Sequence, residues 1–167
     1  MDKLIITERW LKKSKQYGSE LDESMDKFFS LYVAYNAFFS MHTNKKGDRA
    51  GATTGMAKYL EKHQITILNE LKDEVHKMMK PVEDKRFKIY GEDKKDDNQK
   101  DSFIIGKIKE DINNYKAVLN FIYGIRCNMF HGDKLLIIEQ VDLLTPANNI
   151  LEKLLEACLE HEKKETL

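Results

Sequence analysis

Apolar residues recur at three- and four-residue steps along most of this chain, and this spacing restricts its fold more than any other feature. The clearest runs lie over residues 20–42 and 107–131. Such spacing places apolar side chains along one side of a helix, where other helices can cover them. Glycine and proline number only eight and two, which disfavours a turn-rich β fold. The sequence therefore predicts an all-α protein, an antiparallel bundle of four to five main helices.

The ends of the predicted helices are marked by glycine and proline. Pro81 is expected to end the third helix, because proline lacks an N–H and clashes within a helix interior. Gly106 is expected to break the start of the fourth helix. Thr145 and Pro146 resemble an N-cap followed by a first-turn proline, which predicts the start of the last helix. The five predicted helices cover about 2–17, 20–42, 56–79, 107–131 and 146–164.

Two segments between the helices are poor in apolar residues. Residues 43–55 contain three cations, one acid and three glycines, and they are predicted to form a flexible loop without P-loop spacing. Residues 82–101 mix both signs of charge, which predicts an exposed and partly mobile connection. Phe87, Ile89 and Tyr90 are expected to anchor its middle. With no repeat and no linker, residues 1–167 are predicted to form a single domain.

Charge, cysteine content and hydropathy exclude several kinds of partner. Lysine plus arginine equals aspartate plus glutamate at 28 each, so any RNA or phosphate site must be a local patch. Cys127 and Cys158 form neither a metal-binding pattern nor a disulfide framework, and His63 and His76 lack a second ligand four residues on. No apolar run approaches the ~20 residues that span a bilayer. We therefore expect a cytoplasmic protein with no metal, no cofactor and no membrane contact.

The chemically informative stretch is Tyr123–Lys134, where an apolar helical pattern ends in polar groups. Arg126 is cationic at any ordinary pH, and His131 titrates near neutrality. A fixed cation beside a tunable base suits chemistry on phosphates. Gly132 follows at once and suits the end of a helix, where a positive φ is often needed.

The run Arg126–Gly132 resembles the Arg-x4-His signature of HEPN domains, a superfamily of small helical bundles that includes many prokaryotic endoribonucleases. Tyr123 and Ile125 extend the match, and an early aromatic helix like residues 28–39 also recurs in that family. One subgroup, toxins paired with a nucleotidyltransferase antitoxin, carries a tyrosine two places after the histidine. This chain has Asp133 there and departs from that subgroup.

The resemblance implies metal-independent cleavage of RNA at a composite site in a homodimer. His131 would move the proton of the ribose 2′-hydroxyl or of the leaving oxygen, and Arg126 would hold the scissile phosphate. Asn128 would orient the histidine or a phosphate oxygen. The expected substrate-binding cations are Lys134, Lys45 and Lys46. A toxin or antiviral defence effector, with an antitoxin or another protein partner, fits this chemistry.

Other interpretations of the same residues remain open. On an ideal helix Arg126 and His131 point ~140° apart, so either the helix ends before His131 or a second copy supplies the other half of the site. The chain could also be a non-catalytic RNA-binding or dimerisation module. In a purely structural interpretation, Arg126 pairs with an acid such as Asp22 or Asp133, and His131 only caps the helix.

Overall fold

The computed structural model of the protein describes residues 2–43, 47–90, 101–130 and 140–166, and these residues form helices and no strand. Five helices have at least twelve residues: α1 (Lys3–Ser14), α2 (Leu21–His42), α5 (Lys72–Glu83), α7 (Tyr115–Phe130) and α8 (Val141–Glu165). The shorter ones are α3 (Asp48–Ala50), α4 (Met56–Lys62) and α6 (Asp101–Glu110), and a π-helical stretch, Gly51–Gly55, joins α3 to α4. The predicted all-helical bundle is confirmed.

Helix α2 occupies the centre of the bundle and packs against α1 and α8. Five of its six aromatic side chains are at most 4% exposed, and their burial removes much apolar surface from water; the sixth, Phe29, is 46% exposed. Neighbouring rings meet edge to face, as between Tyr35 and Phe39, whose centroids lie 5.3 Å apart. The buried aromatic residues of α2 are Phe28, Tyr32, Tyr35, Phe38 and Phe39.

The contacts along α8 show the direction of each neighbouring helix. The start of α2 meets the start of α8, where the Asn148 amide donates to the Ser24 carbonyl, and the ends meet at His42 and Glu162. The central pair α2/α8 therefore runs parallel, which departs from the antiparallel arrangement predicted for the bundle. The two other neighbours of α8, α1 and α5, run antiparallel to it, through the pairs Lys15–Glu156, Glu8–Lys163, Glu74–Asn149 and Arg86–Asp142.

Both prolines lie inside helices, so the two boundaries predicted from them are wrong. Pro81 is buried in the last turn of α5, and its carbonyl accepts hydrogen bonds from the N–H groups of Arg86 and Phe87 that close the helix end. Pro146 is the sixth residue of α8, which begins at Val141. Thr145 makes no capping hydrogen bond within the described part of the chain. Burial of both rings against neighbouring helices outweighs the lost backbone hydrogen bonds.

Two further predicted boundaries are corrected. Gly106 lies within α6, and the break before α7 falls at residues 111–114, where the Asn114 side chain accepts from the N–H of Ala117 as an N-cap does. The predicted helix over 56–79 is two helices, α4 and α5, separated by residues 63–71. Neither interruption falls at a glycine.

The segment before α6 is anchored at its apolar residues, as predicted. Phe87, Ile89 and Tyr90 are each at most 8% exposed. The Asp101 carboxylate accepts hydrogen bonds from the N–H groups of Ile89 at 2.8 Å and Tyr90 at 2.6 Å. Residues 91–100, which complete the predicted exposed connection, lie outside the described residues. Across the described ranges, no helix combines the length and the apolar character needed to cross a membrane.

Candidate functional site

Helix α7 positions the predicted site residues through its buried side. Val118, Leu119, Ile122 and Ile125 are each at most 3% exposed and face the core. This packing fixes the rotation of the helix, so that the half-buried side chain of Arg126 faces α2 and α3. The predicted helical setting of Arg126 is therefore confirmed.

The Asp48 carboxylate at the start of α3 is the point where three helices meet. Its Oδ2 lies 3.4 Å from Nη2 of Arg126 and accepts a hydrogen bond from the Tyr123 hydroxyl at 3.3 Å. Its Oδ1 accepts from the Asn36 amide of α2 at 3.1 Å. Within the described part of the chain the acid beside Arg126 is thus Asp48. The structural interpretation had named Asp22 or Asp133 instead, and Asp133 lies outside the described residues.

Two tyrosine rings fix the direction of the Arg126 side chain. The guanidinium carbon lies 5.7 Å from the ring centroids of both Tyr32 and Tyr123, within cation–π range. The side chain is 28% exposed. The 3.4 Å contact to Asp48 is longer than the ~2.7–2.9 Å of a strong charge-assisted hydrogen bond. Arg126 is therefore held in place by several moderate contacts while part of it faces solvent.

Burial sets the protonation of this group of side chains. Burial, with the neighbouring Cys127 and Asp48 adding to it, raises the pKa of Tyr123 to about 12. Burial also raises the pKa of Tyr32. Burial alone would lower the pKa of Arg126, but hydrogen bonding to Cys127 and the charge of Asp48 hold that pKa above its ordinary value. At neutral pH both tyrosine hydroxyls therefore stay protonated beside the Arg126 cation and the Asp48 side chain.

Asn128 belongs to a different set of contacts. Its amide donates to the carbonyl of Ile89 at 3.0 Å and, more weakly, to that of Lys88 at 3.4 Å. These contacts tie the segment before residue 91 to α7, so Asn128 and Arg126 have different neighbours. The remaining predicted site residues, His131, Lys134, Lys45 and Lys46, lie outside the described residues.

A groove beside Asp48 and Tyr123 contains cations that the sequence reasoning missed. It has a volume of about 770 Å³ and lies between α6 and α7 on one side and α3 with the π-helical stretch on the other. Lys107 and Lys116 line it together with Arg49, whose Nη2 donates to the Asn120 side chain at 3.3 Å.

A sequence signal for this groove exists on α7. Lys116, Asn120 and Tyr123 are spaced four and three residues apart, which places them on one face of the helix. That polar stripe ends next to Arg126. The sequence reasoning missed this stripe because it followed the spacing of apolar residues only.

Residues 43–55 were predicted to be a flexible loop, and for the described part, 47–55, this is wrong. Asp48–Ala50 is helical and continues through the π-helical stretch into α4. Thr53 is 3% exposed, and its hydroxyl donates to the Arg49 carbonyl at 2.8 Å. The order of this segment is what places Asp48 and Arg49 beside α7.

A second cluster of polar rings lies where the ends of α2, α4 and α8 meet. The Tyr59 hydroxyl donates to Glu162, and Nε2 of His161 lies 2.8 Å from Nδ1 of His63. His42 lies 3.7 Å from the same glutamate. No three metal-ligating side chains within the described ranges are grouped so that they could hold a metal ion.

Acidification is expected to destabilise the protein through this cluster. Burial lowers the pKa of His42, with His63 acting in the same direction and Glu162 opposing it. The His42 imidazole then binds a proton more readily in the unfolded chain than in the folded protein. Its contribution to the free energy of unfolding is therefore fully present above pH ~6.5 and is lost as the pH falls through the lower folded-state pKa. We expect the urea midpoint of His42→Gln to fall less between pH 7 and 5 than that of the wild type. His76→Gln, at an exposed position on α5, is the control; equal losses in all three proteins would contradict the assignment to His42.

Comparison of the chain with models of known families, with curated proteins and with solved structures finds no match in any of the three.

Proposed function

We propose that this protein binds RNA and cleaves it without a metal ion, with Arg126 holding the scissile phosphate and His131 moving the proton. The observation that carries the proposal is the setting of Arg126, a partly exposed guanidinium held by two tyrosine rings and Asp48 beside a cationic groove. The resemblance of residues 123–132 to the HEPN signature supports the assignment of the same arginine and of His131.

The reaction follows from these two side chains. The ribose 2′-oxygen attacks the phosphorus as its proton passes to His131, and the bond from phosphorus to the 5′-oxygen breaks as that oxygen takes up a proton. Arg126 donates hydrogen bonds to the phosphate oxygens as negative charge increases in the transition state. The products are a 2′,3′-cyclic phosphate and a 5′-hydroxyl. DNA lacks the attacking 2′-hydroxyl and is not a substrate.

Because the Arg126 side chain is already held in the free protein, RNA binding costs less of its rotamer entropy. A free arginine side chain loses ~2 kcal/mol of rotamer entropy when it is immobilised. Contacts of Arg126 with Tyr32, Tyr123 and Asp48 impose most of that restriction in the free protein. In this proposal Asp48 is a positioning residue, because it acts on the phosphate only through Arg126.

We propose a homodimer whose two copies together build the site. If the helix continues through His131, the two side chains point ~140° apart and one helix cannot direct both at the same phosphate, which supports this arrangement. The described part of α7 ends at Phe130, and a helix that ends there would let one copy supply both residues. The HEPN resemblance supports it too. The same resemblance underlies the proposed cellular role, a cytoplasmic toxin or antiviral defence effector controlled by a partner protein.

The test is a cleavage assay in EDTA with labelled single-stranded RNA and DNA of one sequence. We expect wild-type protein to cut only the RNA and to leave 2′,3′-cyclic phosphate ends. His131→Ala is expected to abolish cleavage, whereas His76→Ala, at an exposed position on α5, retains it. Cleavage that persists in His131→Ala, or that requires Mg²⁺, would contradict the proposal.

The second candidate is a non-catalytic RNA-binding or dimerisation module. The contact of Arg126 with Asp48 favours it, since a guanidinium paired with a carboxylate is less available to a phosphate. In the same assay this module would bind RNA and cut none of it, in wild type and variants alike.

A further inference from the structure

We infer that the groove between α6, α7 and α3 binds a single strand of RNA and directs it toward Arg126. The direction of the strand rests on the proposed function, whereas the binding itself does not. Lys116, Asn120 and Tyr123 form one wall, and these positions on α7 extend ~10 Å along the helix axis toward Arg126. The opposite wall includes Asp48 and Arg49.

The charge of the groove favours a polyanion. Three cations line it, Arg49, Lys107 and Lys116, against one acid, Asp48. Arg126 and Tyr123 already contact that acid. The chain as a whole has zero net charge, so this imbalance is a local patch of the kind that nucleic-acid binding requires.

Lys107 can exchange its present partner, Glu110, for a phosphate. Lys107 lies 3.0 Å from Glu110, and the two side chains are 43% and 68% exposed. Exposed pairs of this kind are weak, so a phosphate can replace the carboxylate at little cost. Arg49 lies 5.2 Å from the ring centroid of Tyr90 and is fixed against it. The groove therefore combines one adaptable cation, Lys107, with a fixed one, Arg49.

Exposed aromatic surface and amides favour a nucleic acid over an acidic peptide. Phe103 lines the groove and is 39% exposed, with Nζ of Lys107 5.6 Å from the centroid of its ring. Unpaired bases stack on such rings, and each stack contributes substantially to binding of single strands. Asn114 and Asn120 also line the groove. Asn114 accepts from the N–H of Ala117, and Asn120 accepts from Arg49 and donates to the Lys116 carbonyl, which leaves each amide an N–H group for a base edge. A duplex hides its bases from these groups, so we expect a single strand.

The test measures RNA binding in a His131→Ala background, so that no cleavage interferes. Fluorescence anisotropy with a labelled ten-nucleotide RNA is recorded at several KCl concentrations. We expect Lys107→Ala and Lys116→Ala each to weaken binding several-fold and to reduce the salt dependence by ~0.7, the value for one phosphate contact on a single strand. Phe103→Ala is expected to weaken binding with an unchanged salt dependence.

Lys153→Ala is the matched control, because Lys153 also pairs with a glutamate three residues on, at 3.1 Å, and lies outside the groove. The groove assignment is overturned if the groove variants bind like this control, or if duplex RNA or polyglutamate binds as tightly as the single strand. If the wild type cleaves RNA and the groove variants cleave it with the same KM, the groove assignment is wrong and the proposed nuclease function stands. If RNA binds at the groove with the expected salt dependence but the wild type cleaves none of it, the groove assignment stands and the proposed nuclease function is wrong.

Discussion

Replacing Arg126 by alanine is expected to reduce RNA cleavage by a factor of ~10²–10³, the usual loss when one donor to a developing oxyanion is removed. Arg126→Lys is expected to recover little of it. Lysine keeps the charge, but it lacks the planar fork that bonds two phosphate oxygens at once and that packs against Tyr32 and Tyr123. The measurement is the single-turnover rate with saturating protein, which separates the chemical step from binding.

Arg86→Lys is the matched control for this pair of variants. Arg86 lies 3.0 Å from Asp142 in an exposed ion pair, and we expect the substitution to leave the rate unchanged. Thermal unfolding of each variant shows whether lost activity reflects lost structure. An Arg126→Lys protein that folds and cleaves at the wild-type rate would contradict the proposed role of the guanidinium.

Mixing the Arg126→Ala and His131→Ala proteins tests whether the site is shared between two copies. If each site takes its arginine from one copy and its histidine from the other, a mixed dimer has one complete site and one empty one. Random mixing then restores about a quarter of the wild-type activity. If both residues come from the same copy, every site in the mixture lacks one of them, and no activity returns.

Helical periodicity predicted α2 almost to the residue, because its buried aromatic side chains recur at three- and four-residue steps. The expected range was 20–42, and the helix is Leu21–His42. The same pattern correctly placed Arg126 near the end of α7. Amphipathic spacing is a strong signal when the buried side chains are this large.

The acidic neighbour of Arg126, Asp48, could not be predicted, because it lies in a segment whose glycines indicated a loop. Those glycines serve close packing instead. A Cβ at Gly51 would lie 3.0 Å from the Phe39 ring, and one at Gly55 would lie 2.8 Å from Thr43. Sequence alone does not distinguish a glycine that frees the backbone from one that lets two helices approach. For this reason the pairing acid was sought at Asp22 or Asp133 and not at Asp48.

The largest expected effect on stability comes from Gly124→Ala in α7. The added Cβ would lie 2.0 Å from Cγ2 of Ile89 and 2.9 Å from the Tyr90 ring. Neither can move easily, because both are nearly buried and the Tyr90 hydroxyl donates to the Asn120 carbonyl at 2.9 Å. Overpacking of this kind costs ~1–3 kcal/mol, and we expect a loss of ~2 kcal/mol after the gain in helix propensity. A protein of this size then unfolds about 4–8 °C lower.

Gly106→Ala in α6 makes the same chemical change where there is room for it. Among the described residues, and apart from the adjacent residues and the backbone of the same helix, no atom lies within 4 Å of the added Cβ, and the position is inside a helix. Alanine is favoured over glycine there by up to ~1 kcal/mol, so we expect the melting temperature to rise by a few degrees. If Gly124→Ala lowers the melting temperature while Gly106→Ala raises it, the loss comes from the contact between α7 and residues 87–90, since helix propensity alone would raise both melting temperatures. If Gly124→Ala is as stable as Gly106→Ala, the contact between α7 and residues 87–90 can relax. The position of Tyr90 beside Arg49 would then not require a glycine at residue 124.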